Sequence, residues 1–131
     1  MAMQAAKNAV DIGIIVRDIE ASLAFYRDRL GLEKVQEVPL GFGTMHRLAF
    51  GDSFIKLVDP KKVPAAGTPG LDAVLGFRYI TFQVGNIDAL CEELAAAGIT
   101  FVIEKNEFMP GVTIAMVNDP DGNIVEFVQR G

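Results

Sequence analysis

The chain has 131 residues, 50% of them hydrophobic and 22% charged, enough to bury a core and too apolar for a disordered protein. Its net charge of −5, from 17 acidic and 12 basic residues with no basic stripe, gives nucleic acid little to hold, and suits either plain solubility or a cationic ligand. No run approaches about 18 apolar residues and no long apolar segment opens the chain, so neither membrane span nor signal peptide is expected; the lone cysteine, Cys91, excludes an internal disulfide and suits the cytoplasm.

In chain order, the first element is a strand with apolar residues at period two. Val10, Ile12, Ile14 and Val16 make one face, suited to packing under a helix, and Asp11, Gly13 and Ile15 make the other. Asp18 is a good helix N-cap, Glu20 follows in the first turn, and Leu23, Tyr26 and Leu30 run at helical spacing to Gly31. Three apolar stretches follow at about 32–39, 44–50 and 53–59, with Gly51-Asp52 as a tight turn. Residues 60–75, which include Pro60, Pro64, Gly67, Pro69 and Gly70, read as a linker.

The pattern is then written a second time. Tyr79–Ala89 aligns with Asp11–Ala21 at an offset of 68, with Ile12/Ile80, Val16/Val84, Ile19/Ile87 and Ala21/Ala89 identical. Ile80, Phe82 and Val84 take the packed face of this strand and leave Tyr79, Thr81 and Gln83 opposite. Asn86 is the second N-cap, Asp88 sits in the first turn, and Leu90, Leu94 and Ala97 lead to Gly98. Cys91 falls inside this helix as a small apolar filler, with no basic partner visible to make it a nucleophile. Stretches at about 99–105, 111–118 and 123–129 complete the half, with Asp119-Pro120-Asp121-Gly122 as a type I turn. The expectation is an α+β chain of two βαβββ modules, about 9–59 and about 77–129.

The run Ile19-Glu-Ala-Ser-Leu-Ala-Phe-Tyr-Arg-Asp-Arg-Leu-Gly-Leu32 resembles the first helix of the vicinal oxygen chelate superfamily, the glyoxalase/bleomycin-resistance/dioxygenase proteins. Asn118-Asp-Pro-Asp-Gly-Asn-Ile-Val-Glu126 resembles that superfamily's C-terminal motif, and the likeness spans about residues 9–129. It implies one domain of two modules whose curled mixed sheets surround a ligand cavity, commonly within a homodimer. It does not choose among enzymes and binding proteins.

Metal-dependent relatives place His or Gln, Glu, His and Glu at four strand positions. The resemblance carries these onto Asp11, Lys56, Tyr79 and Glu126, of which only Glu126 keeps the usual identity. Lys56 is normally protonated and repels a cation, and one histidine cannot recreate a site built on two imidazoles. No cofactor is therefore expected; a divalent ion held by Asp11 and Glu126, with Tyr79 and waters, is the alternative. Lys56 then supplies the charge that a metal would place beside Asp11 and Glu126, either in a site or in an ordinary ion pair.

The leading expectation is a small-molecule binding protein, or a metal-independent enzyme, that holds its ligand in an apolar cavity through Asp11, Lys56, Tyr79, Thr81 and Glu126. The second is a metal-dependent lyase, isomerase or dioxygenase with atypical ligands. A third is metal-free acid–base catalysis, with Glu126 or Asp11 as base and Tyr79 as proton donor. His46, in the third strand, either joins the ligand-facing groups or is a packed structural imidazole. Phe42, Phe108 and Met109, near turns, line the cavity mouth or serve as core or dimer contacts.

Overall fold

Each half of the chain builds its own curled, open, four-stranded mixed sheet. The computed structural model describes residues 2–131, which divide into two compact units between Ala65 and Ala66.

The first unit holds β1 (Ile12–Ile15), helix α1 (residues 19–29), β2 (Glu33–Leu40), β3 (Gly43–Phe50) and β4 (Ser53–Pro60), in sheet order β1-β4-β3-β2. β1 lies parallel to β4, and the β4–β3 and β3–β2 pairs are antiparallel. A parallel pair needs a long crossover, which α1 and the β2–β3 hairpin supply. The packed face of β1 is as expected at Ile12, Ile14 and Val16, but Val10 lies before the strand and is 83% exposed. Leu23, Phe25 and Tyr26 of α1 are buried, as are Leu48, Ile55 and Leu57 of the sheet; the Phe25 and Tyr26 rings meet edge-to-face at 4.9 Å.

Helix α1 is α-helical over Ile19–Leu23 and π-helical over Ala24–Arg29. Its start is capped as expected, Asp18 Oδ1 accepting from the Glu20 and Ala21 N–H groups at 3.0 and 3.2 Å. Its end has a cause that the repeat makes visible. The N-caps Asp18 and Asn86 are 68 residues apart, whereas the closing glycines Gly31 and Gly98 are 67 apart, so α1 contains one residue more than its counterpart. The extra residue is absorbed by widening the last turns: Leu30 N–H donates five residues back to Phe25 (2.9 Å) and Leu32 N–H six back to Tyr26 (3.0 Å). Both helices can therefore end on a left-handed glycine and deliver their chains to the next strand alike.

Glycine is demanded at two hairpins. Gly51 takes φ +55° ahead of Asp52, the pattern of a two-residue type II′ turn between β3 and β4. Gly43 opens β3 so close to β4 that a Cβ there would overlap the Asp59 carbonyl oxygen and approach Pro60 Cα to 2.8 Å.

The second unit repeats the plan with β5 (Tyr79–Gln83), α2 (Ile87–Ala96), β6 (Phe101–Met109), β7 (Val112–Asn118) and β8 (Ile124–Arg130), in sheet order β5-β8-β7-β6. Phe82, Leu94, Ala115, Val117, Val125 and Phe127 are buried here, and the Phe82 and Phe127 rings stack at 6.4 Å. One expected cap is not made: Asn86 forms no side-chain cap bond, and the Ile87 N–H donates instead to Gln129 Oε1 of β8 at 2.7 Å. At the other end α2 closes as a Schellman motif, Ile99 N–H donating to Leu94 and Gly98 N–H to Ala95, both at 3.0 Å. Both outer strands β2 and β6 carry bulges and charged residues, which discourage edge-to-edge pairing.

Candidate functional site

In the first unit, strand register fixes which side chains share a face. Gly13, Lys56 and Arg47 lie on one rung across β1, β4 and β3, with Gln36 of β2 beyond. The neighbouring rungs on this face place Val58 beside Met45 on one side and Phe54 beside Ala49 on the other. Asp11 precedes β1 and reaches across to β4. Its Oδ1 accepts from the Phe54 N–H and from Lys7 Nζ, both at 2.8 Å.

Those bonds, the one from Lys7 foremost, hold the Asp11 carboxyl below its ordinary value of 3.8; the charge of Lys56 contributes less. Asp11 is thus partnered chiefly by Lys7, not by Lys56 as the electrostatic reading expected. The Lys7 ammonium and the Arg47 guanidinium both stand over the Phe54 ring, 4.6 and 5.1 Å from its centroid. Arg47 Nε is buried and has no hydrogen-bond acceptor.

His46 is on the opposite face, beside Leu57 and Glu37. Its side chain is 8% exposed, with Nδ1 3.3 Å from Glu37 Oε1 but outside hydrogen-bond geometry, so the two are neighbours without a formed bond. It faces the helix-packed side of the sheet and does not join Lys56 there.

In the second unit, Thr81 and Glu126 are register partners on β5 and β8, and Thr81 Oγ1 donates to Glu126 Oε1 at 2.6 Å. Met116 of β7 lies on the other side of Glu126. Tyr79 is one rung away, opposite Ile124, and 53% exposed. Ile124 and Val128 flank Glu126 and are buried, so this face offers one half-buried carboxylate among apolar groups. The β7–β8 turn that sets its register is tightly tied. Buried Asp119 accepts from the Asp121 and Asn123 N–H groups through Oδ1 (2.9 and 2.8 Å) and from Asn123 Nδ2 through Oδ2 (2.9 Å).

These donors fit a metal poorly. Asp11 Oδ1 and Glu126 Oε1 already accept hydrogen bonds, and Lys56 occupies one of the four positions that the resemblance assigns to ligands. Among the described residues no group of three or more His, Cys, Asp or Glu side chains is placed to hold an ion. Away from these faces, burial pushes the Cys91 thiol up, as suits a filler; nearby Lys105, which the sequence did not suggest, is bound to Asp88 at 2.7 Å.

The sequence model of the Glyoxalase/Bleomycin resistance protein/Dioxygenase superfamily matches residues 9–127. The chain belongs to that superfamily. Among its relatives is YurT of Bacillus subtilis, an uncharacterized protein 32% identical over 127 residues, covering 89% of this chain and 94% of that one. Another, named "Probable lactoylglutathione lyase", is from Synechocystis; it is 32% identical over 119 residues, covering 88% of this chain and 90% of its own. Among solved structures, TnmS3, an antibiotic binding protein from Streptomyces sp. CB03234, superposes with a TM-score of 0.73 at 25% identity, covering 98% of this chain and all (100%) of that one. Proteins of about this length that resemble the chain thus carry the names of a probable lyase and of an antibiotic binding protein. No helix among the described residues is long and apolar enough to cross a membrane.

Sequence reasoning missed Lys7 and Arg47. Lys7 lies in the irregular segment ahead of β1, where no periodicity points to it. Arg47 was within reach, because Met45, Arg47 and Ala49 alternate along β3 on the same face as Lys56.

Proposed function

We propose that this protein binds a small molecule against the strand faces bearing Asp11, Lys56, Tyr79, Thr81 and Glu126, and does so without the catalytic metal of many relatives. The observation that carries the reading is Lys56, a cation at a position of the metal set, with Arg47 beside it on the same rung. A divalent ion about 4 Å from one ammonium is opposed by roughly 8 kcal/mol at an effective dielectric of about 20. Asp11 of the first unit and Glu126 of the second each already accept a hydrogen bond through one oxygen.

Binding then rests on apolar burial with a few placed polar groups. Thr81 holds the Glu126 carboxylate in one orientation, and Asp11 is fixed by Lys7 and the Phe54 amide, so these groups meet a ligand with little rearrangement. The name of TnmS3 as an antibiotic binding protein supports such a role for a chain of this shape.

The second reading is a metal-dependent lyase with atypical ligands. It is favoured by the likeness to proteins named lactoylglutathione lyase, 30% identical over 118 residues in the Neisseria meningitidis case. A thermal-shift screen run in excess EDTA separates the two. Ligands that stabilise the protein in EDTA, and lose that effect in Glu126→Ala or Lys56→Ala, support the metal-free reading. Stabilisation that needs added metal sinks it.

A further inference from the structure

We propose that Arg47 and Lys56 form an anion seat on the first unit's sheet, so that the ligand is a small molecule with a carboxylate at one end and an apolar body. The inference rests on the small-molecule reading above and adds the charge class of what is bound.

Arg47 and Lys56 are direct register partners on antiparallel β3 and β4. At such positions Cβ atoms are about 5 Å apart, and like charges placed there destabilise the sheet unless something neutralises them. Among the described residues of the first unit, neither cation has an acidic group at ion-pair distance. Asp11, on which the charge of Lys56 acts weakly, is already bonded to Lys7 and to the Phe54 amide. The Nε of Arg47 is also buried with no acceptor among the described residues, while the side chain as a whole is only half-buried.

The pair is not part of a generally basic surface, because the chain carries a net charge of −5. Nor is it a consequence of the repeat, since the corresponding rung of the second unit pairs Glu126 with Met116. Stacking on Phe54, 5.1 Å from the ring centroid, restrains the guanidinium and lets its fork meet a planar carboxylate through two N–H groups, while Lys56 adds a point charge alongside. Phe54 and Ala49 on one adjacent rung, both half-buried, supply apolar surface for the rest of such a molecule, whereas Val58 and Met45 on the other are buried.

Two probes of nearly equal shape test this: 2-naphthoate and its neutral amide, 2-naphthamide, titrated by calorimetry into the 131-residue protein. The expected result is naphthoate binding about tenfold or more tighter than naphthamide, with the difference shrinking as salt rises. Arg47→Met and Lys56→Met should each weaken naphthoate about tenfold and leave naphthamide unchanged. In the wild-type protein, which removes any concern over misfolded variants, naphthoate but not naphthamide should shift the NMR signal of the Arg47 Nε–H. Equal affinity for the two probes overturns the anion seat while leaving the small-molecule reading intact. So do substitutions that weaken both probes alike, or an Arg47 signal that does not move. Binding of neither probe up to its solubility also overturns it, and the EDTA thermal-shift screen then judges the broader reading separately.

Discussion

Replacing Gly43 with alanine tests the hairpin that brings Arg47 opposite Lys56. Gly43 pairs with Pro60 at the start of the β3–β4 register that continues through Arg47↔Lys56. A Cβ at this position would overlap the Asp59 carbonyl oxygen and lie 2.8 Å from Pro60 Cα and 3.0 Å from the Asp59 carbonyl carbon. These are backbone atoms of a paired strand, so no side chain can swing aside; the strands must part locally. Overpacking of this kind costs about 1–3 kcal/mol. The alanine also stiffens the unfolded chain, which returns roughly 0.4–1 kcal/mol, leaving a net loss of about 1–2 kcal/mol. For a domain of this size that lowers Tm by about 3–8 °C. The matched control is Gly41→Ala in the neighbouring β2–β3 turn, where an added Cβ meets nothing within 4 Å and φ is not positive. Thermal unfolding followed by circular dichroism should show Gly43→Ala well below wild type and Gly41→Ala within about 1 °C of it. A Gly43→Ala protein as stable as the control would refute the close approach, and with it the register drawn for this end of the sheet.

Asp119→Ala removes three hydrogen bonds from the buried β7–β8 turn and should lower the urea-derived unfolding free energy by about 2–3 kcal/mol; an unchanged midpoint would contradict the turn's role. Asp11 titrates below its ordinary value, so it stabilises the fold above pH about 4 and loses that contribution as pH falls through its folded value. Lys7→Ala should therefore raise the Asp11 pKa in a carboxyl NMR titration, and more than Lys56→Ala does; the reverse order would restore Lys56 as its main partner. Phe42, in the β2–β3 turn, and Phe108, near the end of β6, are 57% and 64% exposed, and a homodimer, which the family resemblance leads us to expect, would cover them. Sedimentation velocity should show a dimer that Phe42→Ser with Phe108→Ser weakens, and a wild-type monomer at all concentrations would exclude it.

The fold was readable in the sequence because its signals are local. Period-two strands, Asp18 as a cap and the glycines closing each helix lie within a few residues of what they control. What escaped depends on distant partners. Asn86 looks as good a cap as Asp18, yet it makes no cap bond, and the first helical N–H, that of Ile87, is met by Gln129, 42 residues further on. The π-helical end of α1 is invisible to periodicity and emerges only when the spacing of caps and glycines is compared between the halves. The chemistry followed the same division. The alternation along β4 and β8 correctly grouped Lys56 with Phe54, and Glu126 with Ile124, but side-chain partners such as Lys7 for Asp11 come from chain geometry outside the strands. His46 shows the limit of reading residue type without register, because one step along β3 from Arg47 turns it to the other face.

The most direct test of the metal-free account is elemental analysis of protein purified without chelators, followed by calorimetric titration with Mn, Fe, Ni and Zn. The account predicts no stoichiometric metal and no saturable binding heat. Stoichiometric metal that disappears in Glu126→Ala would contradict it and make a metal-dependent lyase the better description.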